Sequence, residues 1–164
     1  MKSPEEMKEI AKNNFLSGQN CSQAVVSAFF DELGTEVFGM SKETAQKIAS
    51  PFGGGMSRLR EVCGSVSGIF MVAGLLYGYS ENDPKSAKAA HYERIQKLAK
   101  TYAEKNGTII CRDLLGLPAK TKSFQPESPK PEERTEQYYK KRPCAELVGE
   151  AAAILTPFVC LSAG

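Results

Sequence analysis

Apolar positions along this chain recur at helical rather than strand spacing. In "CSQAVVSAFFDEL", Ala24, Val25, Ala28, Phe29 and Leu33 form one broad apolar face. Ala87, His91, Ile95, Leu98 and Tyr102 repeat the pattern along "KSAKAAHYERIQKLAKTYAEKN", the longest predicted helix. The last one, "PCAELVGEAAAILTPF", is largely apolar. Punctuation agrees with these periods. Ser3, Pro4, Glu5 and Glu6 open a first helix that runs to about Leu16 and stops at Gly18. Asn20 caps the second, which Gly34 closes, and Ser41 caps a third, "KETAQKIAS", ending near Pro51. Asp83-Pro84 starts the longest helix and Gly107 ends it, while "TII" at 108–110 is a short extended piece and "CRDLLGL" a brief helical turn. There is no long alternating run.

After Glu61 the chain is uncharged through Ser80, 19 residues, long enough to span a membrane. Its composition predicts a buried central helix instead. Four glycines lie between Gly64 and Gly78, with Ser65, Ser67 and Tyr77 among them, and no flanking anchors are visible. Gly64/Gly68 and Gly74/Gly78 are each four apart, so each pair predicts a smooth strip where another helix approaches closely. The preceding "FGGGMSRLRE" puts Gly53, Gly54 and Gly55 in succession, which predicts a loop hugging neighbouring backbone or a ligand. Residues 118–142 hold four prolines and many charges. They read as a long surface segment, either mobile or wrapped on the body through Phe124, Tyr138 and Tyr139. The expectation is a single all-α domain over residues 1–164, a bundle of about six helices around the glycine-rich one.

Composition narrows the chemistry. The 164 residues are 24% charged and 41% hydrophobic, ordinary for one soluble domain. A chain this long buries roughly 70% of its unfolded surface without needing disulfides. A net charge of +2, with basic and acidic residues interspersed, argues against nucleic acid or an acidic membrane surface. "MKSPEEMKEIAKNN" places a proline and three glutamates where an export signal needs an apolar run, so the expected location is cytoplasmic. Five cysteines in a reducing compartment point to redox chemistry, metal ligation or plain burial.

Cys21, Cys63, Cys111 and Cys144 are separated by 42, 48 and 33 positions, with no CxxC pair and no CxxCH. That argues against a zinc ribbon, a thioredoxin-type motif and covalent haem. Each is expected in the first turn of a helix, where unpaired N–H groups and the dipole favour the reactive thiolate. Arg58, Arg60, Arg112 and Arg142 lie within five residues of one or another of them. Cys63 is the expected most activated thiol, with Arg58 and Arg60 nearby and Gly64 leaving its approach open. Cys160, in the apolar "TPFVCLSAG", reads as packing.

"NCSQAV", "GGGMSRLREVCGSVSG", "CRDLLG" and "RPCAELV" resemble, in order, the landmarks of the C_GCAxxG_C_C family. That family is recognised by four cysteines and a CGAxxG motif. The resemblance covers about residues 15–155. The motif falls on Cys63-Gly64-Ser65-Val66-Ser67-Gly68, with Ser65 in place of the alanine. The other cysteines carry over to Cys21, Cys111 and Cys144, and Cys160 matches nothing. The resemblance implies a redox role and one shared four-cysteine site, and names no substrate.

Three functions compete. In the first, the cysteines cycle between dithiol and disulfide, with electrons from a partner protein or small thiol, since no nicotinamide or flavin motif is visible. In the second, Cys21, Cys63, Cys111 and Cys144 hold an iron–sulfur cluster or a metal ion. In the third, the chain is a non-catalytic helical module that binds a small ligand or a partner, and its cysteines are packing. Gly53, Gly54, Gly55 and Arg58, with Gly64 and Gly68, are candidate ligand contacts, and the glycine run with Arg58 suits an anion. The alternative there is a tight turn between helices. His91, the only histidine, reads as packing or surface rather than a ligand. A homodimer and a well-filled monomer fit equally.

Overall fold

The computed structural model describes residues 1–160, with side chains through residue 159. Cys160, expected to pack, thus lies outside the described side chains. Six longer helices carry the body: α1 (Pro4–Leu16), α2 (Cys21–Leu33), α4 (Lys42–Ala49), α6 (Gly64–Tyr77), α7 (Lys85–Asn106) and α10 (Cys144–Cys160). Short turns fill the gaps: α3 (Thr35–Phe38), α5 (Gly53–Met56), α8 (Cys111–Leu114), α9 (Glu136–Lys141) and a 3-10 turn at Ser50–Phe52. The molecule is all-α, and no strand forms among the described residues. One isolated antiparallel bridge joins Val62 to Ile110.

The predicted caps are in place. Ser3 and Asn20 each accept from the backbone N–H three residues on, in reciprocal capping boxes with Glu6 and Gln23. Ser41 accepts from the Thr44 N–H. Asn20 also donates from Nδ2 to the Ser50 carbonyl at 2.9 Å, tying the start of α2 to the end of α4.

The centre is shared by α2 and α6. Ser22 and every residue from Ala24 to Phe30 are buried, and α2 packs against α1, α4, α6 and α10. Burial of side chains such as Phe29 and Val25 stabilises by about 1.5–3 kcal/mol each. Its buried serines are satisfied: Ser22 donates to the Ala49 carbonyl at 2.6 Å, and Gln46 donates to Ser27 at 2.9 Å. The glycine-rich α6 is buried over its first half, from Gly64 to Ile69. The Gly64/Gly68 strip works as predicted. A β-carbon on Gly64 would stand 3.0 Å from that of Cys21, and one on Gly68 2.9 Å from that of Val25. The Gly74/Gly78 strip does not. Gly74 faces open space and Gly78 caps the helix, because α6 emerges from the core there and Leu75 is exposed. No helix among the described residues is long and apolar enough to cross a membrane.

Helix α7 follows its predicted boundaries, but only Leu98 and Tyr102 are buried. Its N-terminal half stands clear of the core, with His91 edge-on to Tyr79, ring centroids 5.9 Å apart. The segment 118–142 wraps the body. Arg134 donates to the Phe15 carbonyl at 2.6 Å and lies over the Phe15 ring. Tyr139 meets the same ring edge-on. Phe124, an expected anchor, is instead 72% exposed; charged residues make the attachments that it does not.

Candidate functional site

Three local devices bring the four cysteines to one place. The Asn20 capping box fixes the first residue of α2, Cys21, and the packing of α10 on α1 and α2 brings up its first residue, Cys144. The Val62–Ile110 bridge does the same for the other two. The Cys63 N–H donates to the Ile109 carbonyl at 2.8 Å, and the Cys111 N–H donates to the Glu61 carbonyl at 2.7 Å. Cys63 then precedes α6 and Cys111 opens α8. All four thiols are free, and all four residues line a cavity of about 440 Å³.

The third device is the glycine run. It forms a helical turn rather than an open loop, and a left-handed one. Gly54 and Gly55 have φ of 67° and 66°, and Met56, Ser57 and Arg58 continue at 63°, 51° and 69°; Arg60 follows at 60°. Left-handed backbone costs a side-chain-bearing residue on the order of 1 kcal/mol. Here it is held by bonds from the Ser57 N–H to the Gly53 carbonyl at 2.8 Å and from the Glu61 N–H to the Gly55 carbonyl at 3.0 Å. A β-carbon on Gly55 would lie 2.6 Å from that of Cys111, so this turn sits directly against a thiol. The turn also aims Arg58 and Arg60 at the cavity, which Gly53, Gly54, Gly55 and Gly64 line with them. Gly68, a candidate contact, does not reach it and packs on α2 instead. His91 does not line it either.

The thiols are not alike. Cys144 is pulled down to about 7, first by its hydrogen bond with the Cys21 thiol and then, against its own burial, by Arg142, Arg60 and Arg134. Cys21 is pushed well above its ordinary value by the same bond and by burial. Burial also raises Cys63, and it raises Cys111 to about 11 despite the Arg60 Nη1 at 3.9 Å from its sulfur. The expected activation of Cys63 is therefore corrected: at 5% exposure, desolvation outweighs the helix start, and Arg60 turns to Cys111 instead. Arg112 also misses the thiols and donates to the Pro118 carbonyl.

Two parts of the site were not legible in the sequence. The first is a buried chain in which Cys63 meets the Ser65 hydroxyl at 3.2 Å and Ser65 meets the Tyr102 hydroxyl at 3.1 Å. The second is Glu127, whose carboxylate bridges Arg60 and Arg58 from the wrapped segment. The serine in place of the motif's alanine was a signal for the first; nothing local marked the second.

Among the described residues, no group of three or more His, Cys, Asp or Glu side chains is placed to hold a metal ion. The four sulfurs share a cavity without forming a coordination shell.

Comparison with curated proteins and with solved structures finds no match. One protein family matches residues 19–158, all four cavity cysteines included, and its description reads "Putative redox-active protein (C_GCAxxG_C_C)". The chain belongs to the C_GCAxxG_C_C family.

Proposed function

We propose that this protein is a thiol–disulfide oxidoreductase in which Cys144 is the attacking thiol and Cys21 the resolving one. The observation that carries this reading is the Cys21–Cys144 pair: two half-buried free thiols at the starts of α2 and α10 that line one cavity, with Cys21 and the nearby Arg142, Arg60 and Arg134 lowering Cys144 to about 7. A thiol with a pKa near ambient pH combines a large thiolate fraction with retained nucleophilicity.

The Cys144 thiolate attacks one sulfur of a disulfide substrate. The substrate S–S bond breaks, the leaving thiolate takes a proton from solvent, and Cys144 is left in a mixed disulfide. Cys21 then gives its proton to solvent and attacks the Cys144 sulfur. The second half of the substrate leaves as a thiol and a Cys21–Cys144 disulfide remains. Two electrons have passed from the protein dithiol to the substrate. A small thiol or a dithiol partner protein restores the reduced pair by the reverse exchange. Cys63 and Cys111, buried and held protonated, take no part in this step.

The test is trapping with the neutral reagent hydroxyethyl disulfide. Cys21→Ser should accumulate a stable mixed disulfide mapped to Cys144, and Cys144→Ser should accumulate none at either position. A mixed disulfide forming first on Cys63 or Cys111 in the wild-type protein would overturn the assignment.

A further inference from the structure

Arg60 is 6% exposed, and its guanidinium cannot sit there without a counter-charge. Glu127 supplies it. Arg60 donates from Nε to Oε1 at 3.1 Å and from Nη2 to Oε2 at 2.8 Å, the two-pronged geometry that suits a carboxylate. Arg58 adds a bond from Nη2 to Oε2 at 3.1 Å. The remaining nitrogen of Arg60, Nη1, lies 3.9 Å from the Cys111 sulfur, so carboxylate and thiol meet at one side chain.

Several features say that this pairing is exchangeable rather than fixed. Glu127 comes from a segment without regular structure, between Leu114 and Glu136, and its side chain is 32% exposed. Arg58 and Arg60 belong to the strained left-handed turn, and strain of this kind gathers at binding sites. The Nε of Arg58 is buried and has no acceptor, although Arg58 lines the cavity. The cavity wall carries four arginines, Arg58, Arg60, Arg134 and Arg142, and two acids stand against them: Glu127 on Arg58 and Arg60, and Glu132, which Arg142 holds at 2.8 Å. The space beside the thiols is therefore electropositive and has an unused donor.

We infer that Arg58 and Arg60 form a carboxylate-recognition subsite beside the thiols, filled by Glu127 in the resting protein and taken over by a small carboxylate-bearing disulfide or thiol. The inference rests on the exchange reading above and names its substrate class. Bound there, a substrate carboxylate replaces Glu127 on Arg60, takes the free Arg58 Nε–H, and holds its sulfur within the cavity that Cys144 lines.

Two measurements separate this inference from the reading beneath it. Calorimetry with adipate, a redox-inert dicarboxylate, probes the subsite alone. Adipate should bind Glu127→Gln about tenfold more tightly than wild type, and Arg58→Gln should bind it more weakly than wild type. The second measurement is the ratio of mixed-disulfide formation rates with dithiodipropionate and with neutral hydroxyethyl disulfide. That ratio should rise in Glu127→Gln and fall in Arg58→Gln. Adipate affinity unchanged across both variants, or a rate ratio that moves in neither, overturns the subsite. If neither disulfide reacts, the exchange reading fails, and the adipate titration still decides the subsite. Should Glu127→Gln not fold, Arg58→Gln against wild type decides the question by the same two measurements.

Discussion

Cys21 and Cys144, far apart in sequence, meet as one interacting pair of free thiols at the starts of α2 and α10, on the wall of one cavity. One proton leaves this pair near neutrality while the second is retained, and the two steps belong to the pair.

The first consequence is a pH profile. Thiolate is the reactive form, and Cys144 is lowered to about 7, so its alkylation by iodoacetamide should rise with pH through about 7 and level off above about 8. The opposite sign holds for Cys63 and Cys111, whose ionisation is displaced upward, the latter to about 11. They should remain unmodified in the native protein across that range. Mass spectrometry of digested samples at each pH reads both, and a Cys63 or Cys111 adduct appearing before Cys144 would count against the electrostatics described here.

Removing Cys21 should move the profile. In Cys21→Ala the Cys144 inflection should return toward the ordinary value of about 8.5, cutting its thiolate fraction at pH 7 from about a half to about 3%. The more basic thiolate is the better nucleophile, with a Brønsted slope of about 0.4–0.5, so the net loss at pH 7 is about threefold. An unchanged inflection would mean that the arginines, not Cys21, set the ionisation.

Sequence and structure agree where local rules suffice. Ser3, Asn20, Ser41, Gly34 and Gly107 marked helix ends correctly, because capping is decided by a few neighbouring residues. Cys21, Cys111 and Cys144 open helices as expected, while Cys63 stands one residue ahead of α6 rather than in its first turn. The ionisation of the four was not legible. Whether a helix start activates a thiol depends on burial and on who donates to whom, and both are long-range: Cys21 meets Cys144 only through the packing of α10 on α2. Arg60 near Cys63 in sequence, yet beside Cys111 in space, is the same lesson, since the Val62–Ile110 bridge reverses the neighbours. Gly74 shows the limit of a spacing rule, because four-residue periodicity does not say whether a helix faces that strip.

Ser65 offers a test of the buried chain behind the thiols. Ser65→Ala restores the family's motif residue but leaves the fully buried Tyr102 hydroxyl with only the Cys63 sulfur at 4.0 Å. The loss should be about 1–3 kcal/mol in urea unfolding. Adding Tyr102→Phe should recover part of it, because the orphaned hydroxyl is gone. Strictly additive losses would show that the two hydroxyls do not depend on each other.

Two glycines should respond with opposite signs. Gly55→Ala places a β-carbon against Cys111 at a φ of 66° and should destabilise by about 2 kcal/mol or more. Gly74→Ala fills open space within α6 and should stabilise by up to about 1 kcal/mol through helix propensity. Thermal unfolding of both variants reads the difference, and equal responses would contradict the packing assigned to α6 and to the left-handed turn.

The most direct test of the central claim is made on one native, anaerobically purified sample. Metal content and thiol count are measured first, and the sample is then oxidised by a disulfide and mapped by peptide mass spectrometry. The pair described here predicts two thiols lost and a single new bond between Cys21 and Cys144, with no stoichiometric metal. Stoichiometric iron with sulfide, or a first disulfide that leaves Cys144 free, would contradict it.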